Sequence, residues 1–164
     1  MLSTRDWHRE FGLRPVINAA ATLTRLGGSL MPPPVVEAMV AGAQHFVELD
    51  ALQHAVGSRI ARLTHNDAAF ITSGAAAGIV VAVAACLAGT DSDRIANFPA
   101  LTGFDRTEVI IHRSQRNGYD YACRQTGAHL VEIEGTIEAL ERAITPRTGA
   151  VLWFAGTHYA AGAL

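Results

Sequence analysis

Three short stretches hold the residues whose types and spacing could do chemistry. The first is Ala69-Phe70-Ile71-Thr72 followed by Ser73-Gly74-Ala75-Ala76-Ala77-Gly78. Small residues let a backbone approach an anion closely, and a helix beginning there offers free N–H groups and a partial positive charge. A phosphate is the natural guest, with the Ser73 hydroxyl as an extra donor. A plain strand-to-helix turn would read the same way. The pattern is neither Gly-x-Gly-x-x-Gly nor a Walker loop, because no Gly-Lys-Ser/Thr follows. The second stretch runs from His112 through Arg113, Gln115, Arg116, Asn117 and Tyr119 to Tyr121, directly after an apolar run. Open α/β sheets bind ligands beyond the carboxyl ends of their strands, so this polar and aromatic loop is expected to face the same crevice as Ser73. A solvated loop with a helix cap is the plainer alternative. The third is Asn18 to Ser29, with Thr22, Thr24, Arg25 and Gly27-Gly28, suited to a loop against a ligand or partner subunit, or to a structural arm.

Other chemistry is thin. The chain has 13 basic residues and all are arginine; there is no lysine, so no side-chain amine can form a Schiff base. The seven histidines show no His-x-His or His-Glu-x-x-His spacing, which argues against a metal site. No Gly-x-Ser-x-Gly elbow occurs. Cys86 lies among alanines and reads as core, and the distance to Cys123 with no Cys-x-x-Cys pattern fits a reduced, cytoplasmic setting. A net charge of −2 without a basic run gives no nucleic-acid footprint. No signal peptide is read at the N-terminus, and Ala75 to Ala88 is too short to favour a membrane span.

The elements that must position these residues follow from periodicity. Residues 4–12 read as a short helix, and Pro32-Pro33-Pro34 starts another that runs to about Phe46. Asp50 is expected to cap a helix whose Leu52, Val56, Ile60 and Leu63 form a buried stripe. Ala68 to Thr72 reads as a first, buried strand, and Ala75 to Leu87 as a helix covered on most sides and ended by Gly89. Strands are expected at 108–112, 129–133 and 150–155, with helices at 119–126 and after Thr136, where Ile137, Leu140 and Ile144 should face inward. Apolar strands alternating with helices indicate an α/β domain with a mostly parallel sheet. Residues 1–66 are read as an arm with helices, and 67–164 as the first part of a larger domain. With 49% apolar and only 17% charged residues, below the roughly 25% usual in globular proteins, the chain is expected to lean on a partner or a missing half. The last expected strand precedes Leu164 with no helix after it, which suggests a sequence cut short.

Together and in this order, Arg14-Pro15-Val16-Ile17-Asn18-Ala19-Ala20 with Leu26-Gly27-Gly28-Ser29, Thr72-Ser73-Gly74-Ala75-Ala76-Ala77, and Arg116-Asn117 with Tyr119-Asp120 resemble the selenocysteine-synthase-like branch of fold-type I pyridoxal 5'-phosphate (PLP) enzymes. That branch includes ammonia-lyases of amino-sugar acids. The resemblance implies part of a PLP-binding large domain in a homo-oligomer. It further implies elimination or β-replacement on a small amino acid or amino-sugar acid. It assigns Ser73, Gly74 and Ala75 to the cofactor phosphate, and the loop with Gln115 and Tyr119 to the ring. Arg25 or Arg116 is the candidate clamp for a substrate carboxylate or phosphate. The family's aspartate for the pyridine nitrogen and its Schiff-base lysine would fall beyond Leu164, so PLP would be held noncovalently here. Gln115 stands where the family has a stacking histidine, Gly118 and Tyr121 replace a proline and a histidine, and Ala21 replaces a glycine. Absence of a basic N-terminal region favours the small-molecule branch over one that binds tRNA. Two other readings stay open: a lysine-free, non-catalytic module for binding or oligomer contact, and a phosphate-binding α/β domain unrelated to PLP.

Overall fold

The run Glu108-Val109-Ile110-Ile111-His112 forms strand β1, and four of its five residues are buried. A strand apolar along its length belongs in the middle of a parallel sheet covered on both faces. β1 is central: β2 (His129–Ile133) and β3 (Thr148–Leu152) flank it in parallel, in the order β2-β1-β3. The structure is a computed structural model and describes residues 7–155. Positions 4–6 of the expected first helix, and the stretch around Leu164, lie outside those residues.

The helices are α1 (Trp7–Glu10), α2 (Pro33–Gly42), α3 (Leu49–Thr64), α4 (Ala75–Ala88), α5 (Ser92–Asn97), α6 (Asp120–Arg124) and α7 (Ile137–Ala143). The chain divides into two compact units, Met1–Leu52 and Gln53–Leu164, the boundary falling inside α3. The second unit holds the sheet. Its core gathers Val83 and Leu87 of α4, Val109 of β1, Cys123 of α6 and Ala128. β3 bulges where Val109 pairs with Ala150, skipping Gly149. A Cβ on Gly149 would overlap the Leu87 side chain, so the missing side chain lets α4 lie close on the sheet. No described helix is long and apolar enough to cross a membrane.

Several expectations are corrected. Ala68–Thr72 forms no strand, because the three-stranded sheet gives it no neighbour, and Phe70 is 64% exposed. The apolar run is real, but pairing is a tertiary fact that the run cannot report. The expected stripe on α3 is not the buried one: Leu52, Val56 and Leu63 are exposed, and Gly57 and Ala61 are buried instead. Small residues let α3 approach residue 69 closely, and the bulkier face is left outward. Asp50 lies within the first turn of α3 rather than at its cap, where its charge still complements the helix dipole. α4 is buried at Val83, Leu87 and Ala88, with Val81 and Cys86 exposed. Ile137 of α7 and Ile144 just past its end are exposed, although Thr136 does cap the helix by accepting from the Ala139 amide at 3.1 Å.

Candidate functional site

Where α4 begins, Gly74 precedes the first turn at φ 147, a region that side-chain-bearing residues rarely adopt. No side chain caps the helix; the first amide to bond is that of Gly78, which donates to the Gly74 carbonyl at 3.0 Å. The amides of Ala75 to Ala77 therefore sit at the positive end of a 14-residue helix, and no acceptor among the described residues takes them. Ser73 is exposed beside them. The turn is held from below. Thr72 Oγ1 donates to the Gly74 carbonyl at 2.9 Å, Gln53 Nε2 of α3 donates to the Ile71 carbonyl at 2.7 Å, and a Cβ on Gly57 would overlap the Ala69 carbonyl oxygen. Gln53 and Gly57 carry no signature of this task in the sequence, since both act across a loop.

The loop after β1 opens with a 3-10 turn, Arg113–Gln115. His112 is nearly buried, and its Nδ1 lies 2.6 Å from Ser114 Oγ. Gln115 is 1% exposed, and its amide brackets the backbone just past β3: Oε1 accepts from the Phe154 amide at 2.9 Å and Nε2 donates to the Phe154 carbonyl at 3.3 Å. Arg116, expected to clamp a substrate anion, is already charge-matched. Its Nε meets Asp120 Oδ2 at 2.6 Å and its NH1 pairs with Glu132 of β2. Asn117 orders the turn, donating from Nδ2 to the Gln115 carbonyl at 2.7 Å and accepting from the Tyr119 amide at 2.8 Å. Tyr119 and Tyr121 are half-exposed, with the Arg124 guanidinium 5.1 Å from the Tyr121 ring centre.

Asp120 is the buried hub that the sequence reading missed. Burial alone would raise its pKa. The Arg116 hydrogen bond and charge, the Asn117 amide and Arg124 outweigh that and hold the carboxyl below its ordinary value. The i,i+4 spacing of Arg116, Asp120 and Arg124 is a legible signal; Glu132, on another strand, leaves none.

In the first unit, Asn18 organises the arm loop. Its Oδ1 accepts from the Ala20 amide at 2.8 Å, and its Nδ2 donates to the Ala21 and Gly28 carbonyls at 2.8 and 3.3 Å. Ala21 adopts φ 49, and Gly27 and Gly28 are also left-handed. Arg25, in the short turn Thr24–Leu26, is exposed and makes no ion pair with a described residue. A cavity of roughly 480 Å³ between α4, α5 and α6 is lined by apolar residues such as Val80, Val81, Ile95 and Phe98, and by none of the candidate residues. No group of three metal-ligating side chains occurs among the described residues.

The chain is 36% identical over 163 residues to the D-glucosaminate-6-phosphate ammonia lyase of Salmonella typhimurium, covering 94% of this chain and 44% of that enzyme. A solved structure of D-glucosaminate-6-phosphate ammonia-lyase superposes with a TM-score of 0.90 at 35% identity, over 99% of this chain and 46% of that one. The chain has the fold of part of that lyase. The 5'-C-glycyluridine monooxygenase-decarboxylase of a Streptomyces species is 32% identical over 155 residues, covering 89% of this chain and 39% of that enzyme. The chain thus spans less than half the length of the curated relatives it matches. No family model matches it.

Proposed function

We propose that this chain forms the phosphate- and ring-binding part of a PLP-dependent lyase acting on an amino acid or amino-sugar acid. The observation that carries the reading is the uncapped start of α4 at Ser73-Gly74-Ala75, on a fold shared with part of an ammonia-lyase. PLP, when bound, supplies the electron sink for chemistry at the amino-acid carbons. The chain's own residues bind and orient it. The amides of Ala75 to Ala77 and the Ser73 hydroxyl donate to the phosphate oxygens, and Gly74 supplies the backbone conformation that opens the turn. Tyr119, half-exposed on the loop after β1, is the candidate for the ring face. Gln115, whose side-chain amide is committed to Phe154, would serve the ring site by anchoring the loop that carries Tyr119. Of the two candidate arginines, Arg25 is the one with no carboxylate partner among the described residues, and we assign it to a substrate carboxylate or phosphate. Homo-oligomer formation belongs to the same reading, given the apolar side chains exposed in both units.

The two relatives carry names for different reactions, yet match this region at 36% and 32% identity. On the proposed reading, this region would serve cofactor binding rather than choice of reaction. We favour elimination of water and ammonia, in keeping with the ammonia-lyase name of one relative, with β-replacement the alternative.

The test is PLP binding to the full chain by equilibrium dialysis. Binding is expected to be saturable and to disappear in Ser73→Asp, whose carboxylate would repel the phosphate at an exposed position. Borohydride should fix no adduct on a side chain, because the chain has no lysine. Equal binding by S73D would refute the assignment.

A further inference from the structure

The loop after β1 staples the carboxyl edge of the sheet. Gln115 ties it to the exit of β3, while Arg116 pairs with Glu132, and Arg113 NH1 with Glu134 at 2.6 Å, on the β2 side. Three guanidinium groups (Arg113, Arg116, Arg124) meet three carboxylates (Asp120, Glu132, Glu134). Only Asp120 among those carboxylates is buried, its side chain 3% exposed against 39% and 65% for the others. One carboxylate takes Arg116 at 2.6 Å, the Asn117 amide at 3.3 Å and Arg124 at 3.4 Å, so from just after the 116–119 turn it holds the turn's first two residues and the end of α6. A buried charge with this many donors is costly to desolvate and is retained where it fixes one arrangement.

The geometry points to Asp120 as the positioning residue that holds the Gln115–Tyr119 loop in register with the cofactor ring, an inference that rests on the cofactor reading above. Asp120 acts through Arg116 and Asn117 and touches no cofactor atom itself. With the carboxylate neutralised, Arg116 keeps only Glu132, the Asn117 turn loses an acceptor, and Tyr119 is no longer set in advance of binding.

The phosphate site lies on a different element, and this separates positioning from general damage. The experiment uses the full chain, Asp120→Asn, and Glu132→Gln at the half-exposed partner in case the buried change impairs folding. Amide hydrogen exchange across residues 115–121 and affinities for PLP and for inorganic phosphate are measured. D120N is expected to speed exchange in the loop and leave Val109–Ile111 protected. It should weaken PLP by about tenfold through lost preorganisation, with phosphate affinity unchanged. E132Q should show the same pattern, smaller. Loop exchange unchanged in both variants, or PLP and phosphate weakened together, overturns the inference. If the unmodified chain binds both ligands and D120N binds PLP equally well, this inference alone fails. If the unmodified chain binds neither, the cofactor reading fails with it.

Discussion

Asp120 gives the account a pH dependence whose sign is fixed by its surroundings. Its folded pKa lies below the ordinary aspartate value of about 3.9, because Arg116, Asn117 and Arg124 favour the charged form against the burial that opposes it. Such a group stabilises the fold above its unfolded pKa and loses that contribution as pH falls through the folded value. Urea melts of the unmodified chain and D120N should therefore differ most near neutral pH and converge on acidification below about pH 4; a constant gap down to strong acid would contradict the assignment. The two thiols should separate as sharply. Cys123 is pushed up to about 11 by burial first and the Asp120 charge second, whereas Cys86 is exposed. Iodoacetamide should modify Cys86 alone in the native chain and both in denaturant, by mass spectrometry. Ala21 sits at φ 49, where a non-glycine residue costs roughly 1–2 kcal/mol and glycine's extra chain entropy returns part of that. Ala21→Gly should stabilise by about 0.5–1 kcal/mol, and a destabilised variant would show that the position is not strained. The resemblance had already marked this alanine as standing in place of a glycine, so the strain was legible there. The roles of Gln115 and Glu132 were not, because each partner lies far along the chain, Phe154 past β3 and Arg116 in the loop after β1.

At the scale of elements, periodicity found β1, β2 and the start of α4, since each is decided by its own residues. It failed where packing depends on something else. The α3 stripe Leu52-Val56-Leu63 has the right spacing for burial, but the close approach of α3 to the Ala69 carbonyl requires Gly57 and Ala61 on the inner face. The segment at 68–72 had the composition of a strand without a strand to pair with. Gly57→Ala tests this arrangement. Its new Cβ would press on the Ala69 carbonyl, displace the turn that carries Ser73, and cost on the order of 1–3 kcal/mol by overpacking. Chemical denaturation should show that loss together with weaker phosphate binding. A neutral G57A would mean that α3 does not buttress the turn.

For the molecule as a whole, low charge and high apolar content go with large apolar side chains left exposed. Leu30, Phe46 and Ile17 are almost fully exposed in the first unit, and Phe70, Val151 and Trp153 are exposed in the second. Apolar surface of this extent promotes association. Sedimentation velocity of the isolated chain should show concentration-dependent self-association, and a monodisperse monomer at high concentration would count against it. The missing amine has a consequence at this scale too: on the proposed reading the start of α4 would grip a phosphate, while the chain offers no lysine to anchor an aldehyde.

The most direct measurement is a backbone-amide chemical-shift map of the chain titrated with PLP. The largest perturbations are expected on the amides of Gly74 to Ala77, saturating and reproduced in part by inorganic phosphate alone. Perturbations that leave those four amides unmoved, while appearing elsewhere or nowhere, would contradict the cofactor reading.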